Sequence, residues 1–345
     1  MAKVYRLGIA EMSHDHVWGE LSHWKSLPNV EIVAAADPNQ PLRSKVQAEY
    51  GVGKLYEDWR EMLEKEELDI LQVASPNSEH AEIIEAAAER HIHAMCEKPM
   101  AARLYQANRM LVAAEKAGIT LMINWPTAWS PAIQELERRL LAGEIGQVFY
   151  FKYRAEHNGP KEIGCSEYFW GWLYDAEKNG AGAYMDYCCY AADMAARFFG
   201  LPSEVTGMRG KFVKTYSVPD DNAEVVMKYP HGFALAEACW TQRVGYALPN
   251  PVAYGTEGAL MVQGGKILHY KPSASDPEAI PAPPTVAPKQ NGPQYMIHCL
   301  ETGAPLEGFC SAKVCRDAQE ILEAGLISSD TGQTMTLPLQ SVPNR

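Results

Sequence analysis

At 345 residues the chain is longer than a typical single-core domain, which predicts two domains, and its 47% hydrophobic and 21% charged residues suit a folded, water-facing protein. A formal net charge of −12 argues against nucleic acid and anionic membranes as partners. No apolar run approaches a membrane span, no signal-peptide core opens the chain, and the eight cysteines lack C-x-x-C spacing, so reduced thiols in a cytoplasmic protein are expected.

Strand-like and helix-like segments alternate over the first 124 residues. Strands are expected at 4–10, 30–36, 68–74, 92–95 and 120–123, with helices at 16–26, 42–50, 59–64, 79–89 and 101–117. This alternation predicts an α/β, doubly wound parallel sheet. The pattern then changes to helices at 131–142 and 182–199, an alternating strand at 147–157, and strands at 204–216, 223–229, 233–241, 251–254 and 259–262. That half reads as α+β with a mostly antiparallel sheet. The Pro-, Ala- and Ser-rich stretch 272–293 reads as an extended loop, followed by closing helices at 294–302 and 311–328.

Cys96-Glu97-Lys98-Pro99 stands where the fourth predicted strand ends. Ligand chemistry in open α/β sheets gathers at carboxyl ends of strands. Proline fixes its own φ and biases the preceding lysine toward an extended geometry. A lysine so held can donate a proton or place a point charge on a substrate hydroxyl. The plainer alternative is a solvated lysine in a surface turn.

Further motifs follow in order: Ala36-Asp37-Pro38, Ala74-Ser75-Pro76-Asn77 with His80, Gly143-Glu144-Ile145-Gly146, Gly180 through Asp193, Asp221-Asn222-Ala223 and Gly255-Thr256-Glu257-Gly258. With Glu97-Lys98-Pro99 they resemble, along nearly the whole chain, the Gfo/Idh/MocA family of glucose–fructose oxidoreductase, inositol dehydrogenase and rhizopine-catabolism proteins. The resemblance implies a dinucleotide-binding Rossmann domain over 1–124 and a substrate-binding and oligomerisation domain over 125–345, with an open-faced sheet. It implies an NAD(P)-dependent oxidoreductase acting on a sugar, sugar acid or inositol-like polyol that lies between the domains. NAD is expected over NADP, because Asp37 ends the second strand where an acidic residue bonds the ribose and disfavours a 2′-phosphate.

The resemblance places the cofactor along Ala10, Glu11, Met12, Ser13 and His14, with Asp37 on the ribose. Ser75, Pro76, Asn77 and His80, then Glu97 and Lys98, complete that cofactor set. Catalysis would fall to Lys98 and Asp186, which position and polarise the reacting hydroxyl, and to Tyr190 as proton acceptor or shaping residue.

Two stretches depart from the family pattern. In place of G-x-G-x-x-G/A the first turn reads Gly8-Ile9-Ala10-Glu11-Met12-Ser13-His14-Asp15-His16. Glu11 and Ser13 replace the first two glycines, and Glu11 would set a carboxylate against a pyrophosphate. A remodelled loop that binds phosphate through backbone N–H groups with His14 or His16 assisting, a weakly bound dinucleotide, and no dinucleotide are the open readings. His14, Asp15, His16 and His23 invite a metal, but a turn entering a helix does not put H-x-H on one face, so no metal is expected. Asp15 as helix N-cap, or substrate or phosphate contact by one of the histidines, is expected instead.

In the second stretch, Gly182, Ala183, Asp186 and Asp193 match G-A-x-x-D-x-G-x-H-x-x-D, while Cys188 replaces the glycine and Tyr190 the histidine that takes the hydroxyl proton in such sugar dehydrogenases. Asp186 and Tyr190 share a helix face at i, i+4. Tyr190 serves as acid or base only if Lys98 brings it well below about 10; otherwise it is a core aromatic.

Trp125 and Trp129 are candidates for an aromatic wall that stacks on a sugar. Glu156 and His157 end a strand and Trp172 lies in an aromatic segment, so all three join Lys98, Asp186 and Tyr190 as expected substrate contacts. Other outcomes with the same fold are glycoside hydrolysis or elimination by transient oxidation, and a ligand-binding protein that has lost cofactor chemistry. The open sheet predicts a homodimer or homotetramer through that face.

Overall fold

The structure, a computed structural model, describes residues 3–245 and 248–340. The first half holds β1 (Tyr5–Ala10), α1 (Val17–Lys25), β2 (Val30–Ala36), α2 (Gln40–Tyr50), β3 (Lys54–Tyr56), α3 (Trp59–Lys65), β4 (Ile70–Val73), α4 (His80–Glu89), β5 (His93–Glu97), α5 (Leu104–Ala117) and β6 (Leu121–Asn124). Its six strands are all parallel, in the order β3-β2-β1-β4-β5-β6. Every residue of β4 is buried, as a strand covered by helices on both faces requires. The strand order reverses between β1 and β4, so the ligand crevice of this architecture lies beyond their carboxyl ends. β3 was not anticipated; its three residues are too few to show a periodicity.

The second half holds α6 (Pro131–Leu141), β7 (Val148–Glu156), α7 (Glu167–Leu173), α8 (Ala176–Asn179), a π-helical turn (Tyr184–Cys188), α9 (Cys189–Phe199), β8 (Glu204–Gly210), β9 (Asn222–Tyr229) and β10 (Gly232–Cys239). Then come β11 (Val252–Gly255), β12 (Gly258–Gln263), β13 (Lys266–Tyr270), β14 (Glu278–Pro281), α10 (Gly292–Thr302), α11 (Ala312–Thr331) and β15 (Met335–Thr336). Nine strands form one sheet in the order β14-β13-β12-β11-β7-β10-β9-β8-β15, antiparallel except at β7–β10. The mostly antiparallel, open-faced sheet read from the sequence is therefore present.

Two expectations for this half need correction. β8 stops at Gly210 rather than 216, because the Asp221 carboxylate accepts the backbone N–H groups of Phe212, Val213 and Lys214 and ties that segment into a loop. The stretch expected to be wholly loop contains β14, which pairs with β13.

The sheet's covered face packs on α9 and α11. α11 also packs on α5 of the first half, so one helix joins both layers. It comes close to β8 because neither side carries a side chain at the crossing: a Cβ on Gly207 would run into the carbonyl oxygen of Gly325. The other face carries exposed Met208, Val226 and Phe233. Among the described residues no helix is long and apolar enough to cross a membrane.

Candidate functional site

Lys98 leaves the end of β5 and crosses to the second half. Its Nζ donates to Asp186 Oδ1 at 2.8 Å and to the Asp186 carbonyl at 3.3 Å, with both side chains buried. Burial alone would pull the lysine down, but the Asp186 carboxylate, with Tyr190 and Cys189, outweighs it and holds Lys98 well above its ordinary value. Lys98 is therefore a permanent cation here. Asp186 sits in the π-helical turn, a feature frequent at functional sites. Its other oxygen accepts from Trp240 Nε1 at 3.3 Å. The turn is anchored by Asp220, whose carboxylate accepts the N–H groups of Gly182 (3.0 Å) and Tyr184 (2.8 Å). Asp220 was missed in the sequence, where its neighbours Asp221-Asn222-Ala223 drew the attention.

Tyr190 lies beside this pair, with the Lys98 ammonium 4.8 Å from its ring centroid. The condition for an acid–base tyrosine is not met: burial pushes Tyr190 above its ordinary value, and Lys98 offsets that only in part. The cation lies over the ring. Tyr190 packs edge-on against Trp125 (5.4 Å) and beside Tyr153 and Tyr187 (both 6.1 Å).

Strand parity sorts the end of β7. Successive side chains alternate faces. His157 lies with the site, its ring 4.8 Å from Tyr187, and its burial lowers it. Glu156 points to the opposite, open face and bonds Gln242 (2.6 Å) and Arg154, so it is not a cleft residue. Trp125 is buried and donates to Cys315 Sγ, which makes it a core residue that touches the site only through Tyr190. Trp129 donates to Asn124 Oδ1 at 3.0 Å. Burial raises the Cys188 and Cys189 thiols, so neither is a thiolate.

The residues placed around a dinucleotide gather at the ends of β1, β2 and β4. Glu11 adopts φ 63°, the left-handed conformation that a glycine takes readily, so the turn keeps its shape without one. Burial, then Glu79 and Asp37, push its carboxyl up to about 9. The group is neutral at pH 7, which removes the like-charge conflict with a pyrophosphate. Asp37 accepts from Met12 N–H (2.7 Å) and from the Asn39 backbone (2.7 Å) and amide (2.9 Å), binding the loop to β2. Arg43 is engaged by Glu57 and the Asp37 carbonyl.

Ala10, Met12, Ser13, His14, Ser75 and Pro76 are all buried. α7 covers them: Phe169 packs 4.3 Å and Trp172 5.8 Å from the His14 ring, and Trp172 Nε1 donates to the Ser13 carbonyl at 3.4 Å. Trp172 thus faces the loop rather than a substrate. Asp15 is not a helix cap. Its carboxylate accepts from Ser166 N–H (2.7 Å) and Ser166 Oγ–H (2.6 Å), latching α7 down. Asn77 Nδ2 donates to the Asn179 carbonyl (3.0 Å) and side-chain oxygen (2.9 Å), while its own buried Oδ1 has no hydrogen-bond partner. His80 is fully buried with its ring nitrogens on the Met100 and Ser75 carbonyls (both 3.1 Å); it braces the β4–α4 corner and is not free for a cofactor. In kind, the residues suit a dinucleotide: a carboxylate at the end of β2, a neutral turn and a cation at the end of β5. In space, α7 lies over His14 and Ser13 of this turn.

The turn that was expected to keep His14 and His16 apart instead brings them together, and adds Glu97, which the sequence did not place with them. His16 Nδ1 lies 3.1 Å from Glu97 Oε2, and His14 packs 4.4 Å from His16. One donor atom from each of His14, His16 and Glu97 falls within 4.8 Å of the others. Burial would raise Glu97, but its bonds to His16 and Asn124 hold it below the usual carboxylate range; burial and Glu97 push neighbouring Glu20 far above it. His23, on the exposed side of α1, stands apart.

Residues 8–125 match the oxidoreductase family with an NAD-binding Rossmann fold, and residues 133–261 match the GFO/IDH/MocA C-terminal domain. The chain is 28% identical to D-apiose dehydrogenase from Paraburkholderia graminis over 96% of its own length and 88% of that protein. It is 26% identical to scyllo-inositol 2-dehydrogenase (NAD(+)) from Bacillus subtilis, covering 76% of this chain and 73% of the relative. Among solved structures, levoglucosan dehydrogenase in complex with NADH and levoglucosan superposes with a TM-score of 0.83 at 18% identity, covering 97% of this chain and 100% of that one. An oxidoreductase from Agrobacterium radiobacter in complex with NAD+, L-tartaric acid and magnesium gives 0.80 at 20% identity, over 96% and 98%.

Proposed function

The chain belongs to the Gfo/Idh/MocA oxidoreductases, and from that membership we propose that it is an NAD(P)-dependent dehydrogenase of a sugar, sugar acid or inositol-like polyol. The carrying observation is the buried Lys98–Asp186 pair. An ammonium has three donors. Two go to Asp186, leaving one for a substrate oxygen. A bound nicotinamide supplies the hydride acceptor. The chain's own residues do the rest: Lys98 polarises the reacting oxygen, Asp186 fixes Lys98, and Tyr190 and Tyr187 lie beside the pair. His157 presents a polar edge there. Asp37 favours NAD over the 2′-phosphorylated form, because its carboxylate would face that phosphate.

The proposed division falls near residue 124, with the first sheet holding the dinucleotide and the second the substrate. The exposed Met208, Val226 and Phe233 favour assembly through the open sheet face into a homodimer or homotetramer. Substrate screening tests the reading: NADH formation is expected with at least one of D-apiose, scyllo-inositol, D-xylose or levoglucosan. Lys98→Met should abolish it, and intact turnover in that variant would exclude the assignment.

A further inference from the structure

We propose that His16, oriented by Glu97, is the proton acceptor of this site. The inference rests on the dehydrogenase reading above and supplies the base that the replacement of the usual histidine by Tyr190 leaves unassigned.

The polarity of the hydrogen bonds selects His16. His157 Nδ1 accepts the Gly159 N–H at 2.8 Å, so the neutral ring carries its proton on Nε2 and offers the site a donor. His14 has the same polarity, with Nδ1 accepting the His16 N–H at 3.3 Å. Tyr190 turns its ring face to Lys98. His16 is the reverse case. Its Nδ1 faces Glu97 Oε2 at 3.1 Å. An ionised carboxylate can only accept, so Nδ1 carries the hydrogen and the Nε2 lone pair is free. The His16 side chain is 36% exposed, while Glu97, on its Nδ1 side, is fully buried. A carboxylate on Nδ1–H fixes the tautomer of a catalytic imidazole and stabilises the imidazolium formed when it takes a proton.

Glu97 is itself held. Asn124 Nδ2 donates to its Oε1 at 3.0 Å, and Trp129 fixes Asn124 from the other end at 3.0 Å. Protonated Glu20 bonds Glu97, Gln72 donates to Glu20 at 3.1 Å, and Trp24 donates to Gln72 at 2.9 Å. This network has a partner at each step, as a positioned base requires. The charged or titratable groups around His16 are Glu97 on β5, Glu20 on α1 behind it, and His14 and Asp15 in its own loop, with Lys98 beyond His14; α7 contributes the Phe169 ring at 6.3 Å. Imidazoles that bind metals donate their remote N–H to an acceptor. His14 does the opposite, so the trio has the polarity of a proton-transfer pair beside a donor.

In the oxidative direction His16 Nε2 would take the proton of the hydroxyl polarised by Lys98 as its carbon–oxygen bond becomes C=O, and an oxidised nicotinamide held along the β1 turn would supply the acceptor for the hydride lost from that carbon.

Two measurements decide this. The first is the tautomer of His16 in 15N-labelled protein, read from imidazole nitrogen shifts. A proton on Nδ1 that is lost from that position in Glu97→Gln is expected. A proton on Nε2, or stoichiometric zinc binding that His16→Gln abolishes, would overturn the proposal. The second is the pH profile of NADH formation with the best substrate of the screen. His16→Gln should lower kcat by about 10²–10⁴-fold and remove the acidic limb, whereas Tyr190→Phe should keep that limb. A limb that survives in His16→Gln and disappears in Tyr190→Phe or His157→Gln would overturn the proposal. If the folded wild type reduces NAD with no sugar or polyol, the dehydrogenase reading fails, and the tautomer measurement alone decides whether the His16–Glu97 pair exists.

Discussion

Replacing Glu11 with glutamine should stabilise the protein, and increasingly so as pH rises. The unfolded chain ionises this carboxyl above its ordinary 4.5, whereas the folded protein keeps the proton to about 9. Between those values the folded state binds more protons, so stability falls as pH rises through that window. The slope approaches about 1.4 kcal/mol per pH unit. Going from pH 5 to pH 8 therefore costs the wild type up to about 4 kcal/mol through this one group. Glutamine keeps the shape, the left-handed backbone and a donor toward Glu79, and removes the ionisation. Urea unfolding followed by near-UV circular dichroism at pH 5, 6, 7 and 8 (~1-unit steps) measures the effect. The two proteins should nearly coincide at the acid end and diverge toward the alkaline end, with the variant more stable. Parallel curves across the range would show that Glu11 is ionised in the fold, and the account of a neutral phosphate-compatible turn would fail.

Further expectations concern the supports of the site. Ser166→Ala removes the two-point latch between α7 and Asp15 only in its side-chain half, a bond to a charged group worth about 1.5 kcal/mol or more. If α7 must lift to admit a dinucleotide, NAD affinity should tighten by up to about tenfold, and calorimetry showing unchanged or weaker binding would count against that closure. Asp220→Ala should release the π-helical turn and leave Arg209 short of a partner; a thermal melt should show destabilisation, with Lys98–Asp186 activity lost at temperatures where the wild type works. Light scattering should give a dimer or tetramer, and Phe233→Lys on the open face should shift it toward monomer; a monomeric wild type would refute assembly through that face.

Much of this was readable from local pattern. The alternation of apolar strands and amphipathic helices gave the parallel sheet, and the strand-end position of Lys98 gave its chemistry. Asp186 was found because it sits seven residues before Asp193 in a run with a recognisable order. What local pattern could not give was pairing across the chain. His16 and Glu97 are 81 residues apart, and nothing near either announces the other. The latch from Asp15 to Ser166 spans 151 residues, and it turned an expected cap and an expected substrate-facing Trp172 into a cover over the loop. Glu156 and His157 are adjacent, yet strand parity sends one to the open face and the other to the site. His80 was grouped with the cofactor residues from its place in a motif, while its two carbonyl partners show that the motif preserves a corner of the fold. β3 and β14 are too short for any periodicity to register.

Calorimetric titration of dinucleotide-stripped protein with NAD, and then with NADP, tests the central claim most directly. A turn without its glycines, a neutral Glu11 and the Asp37 carboxylate predict saturable NAD binding and weaker NADP binding. Folded protein that binds neither dinucleotide would contradict the account.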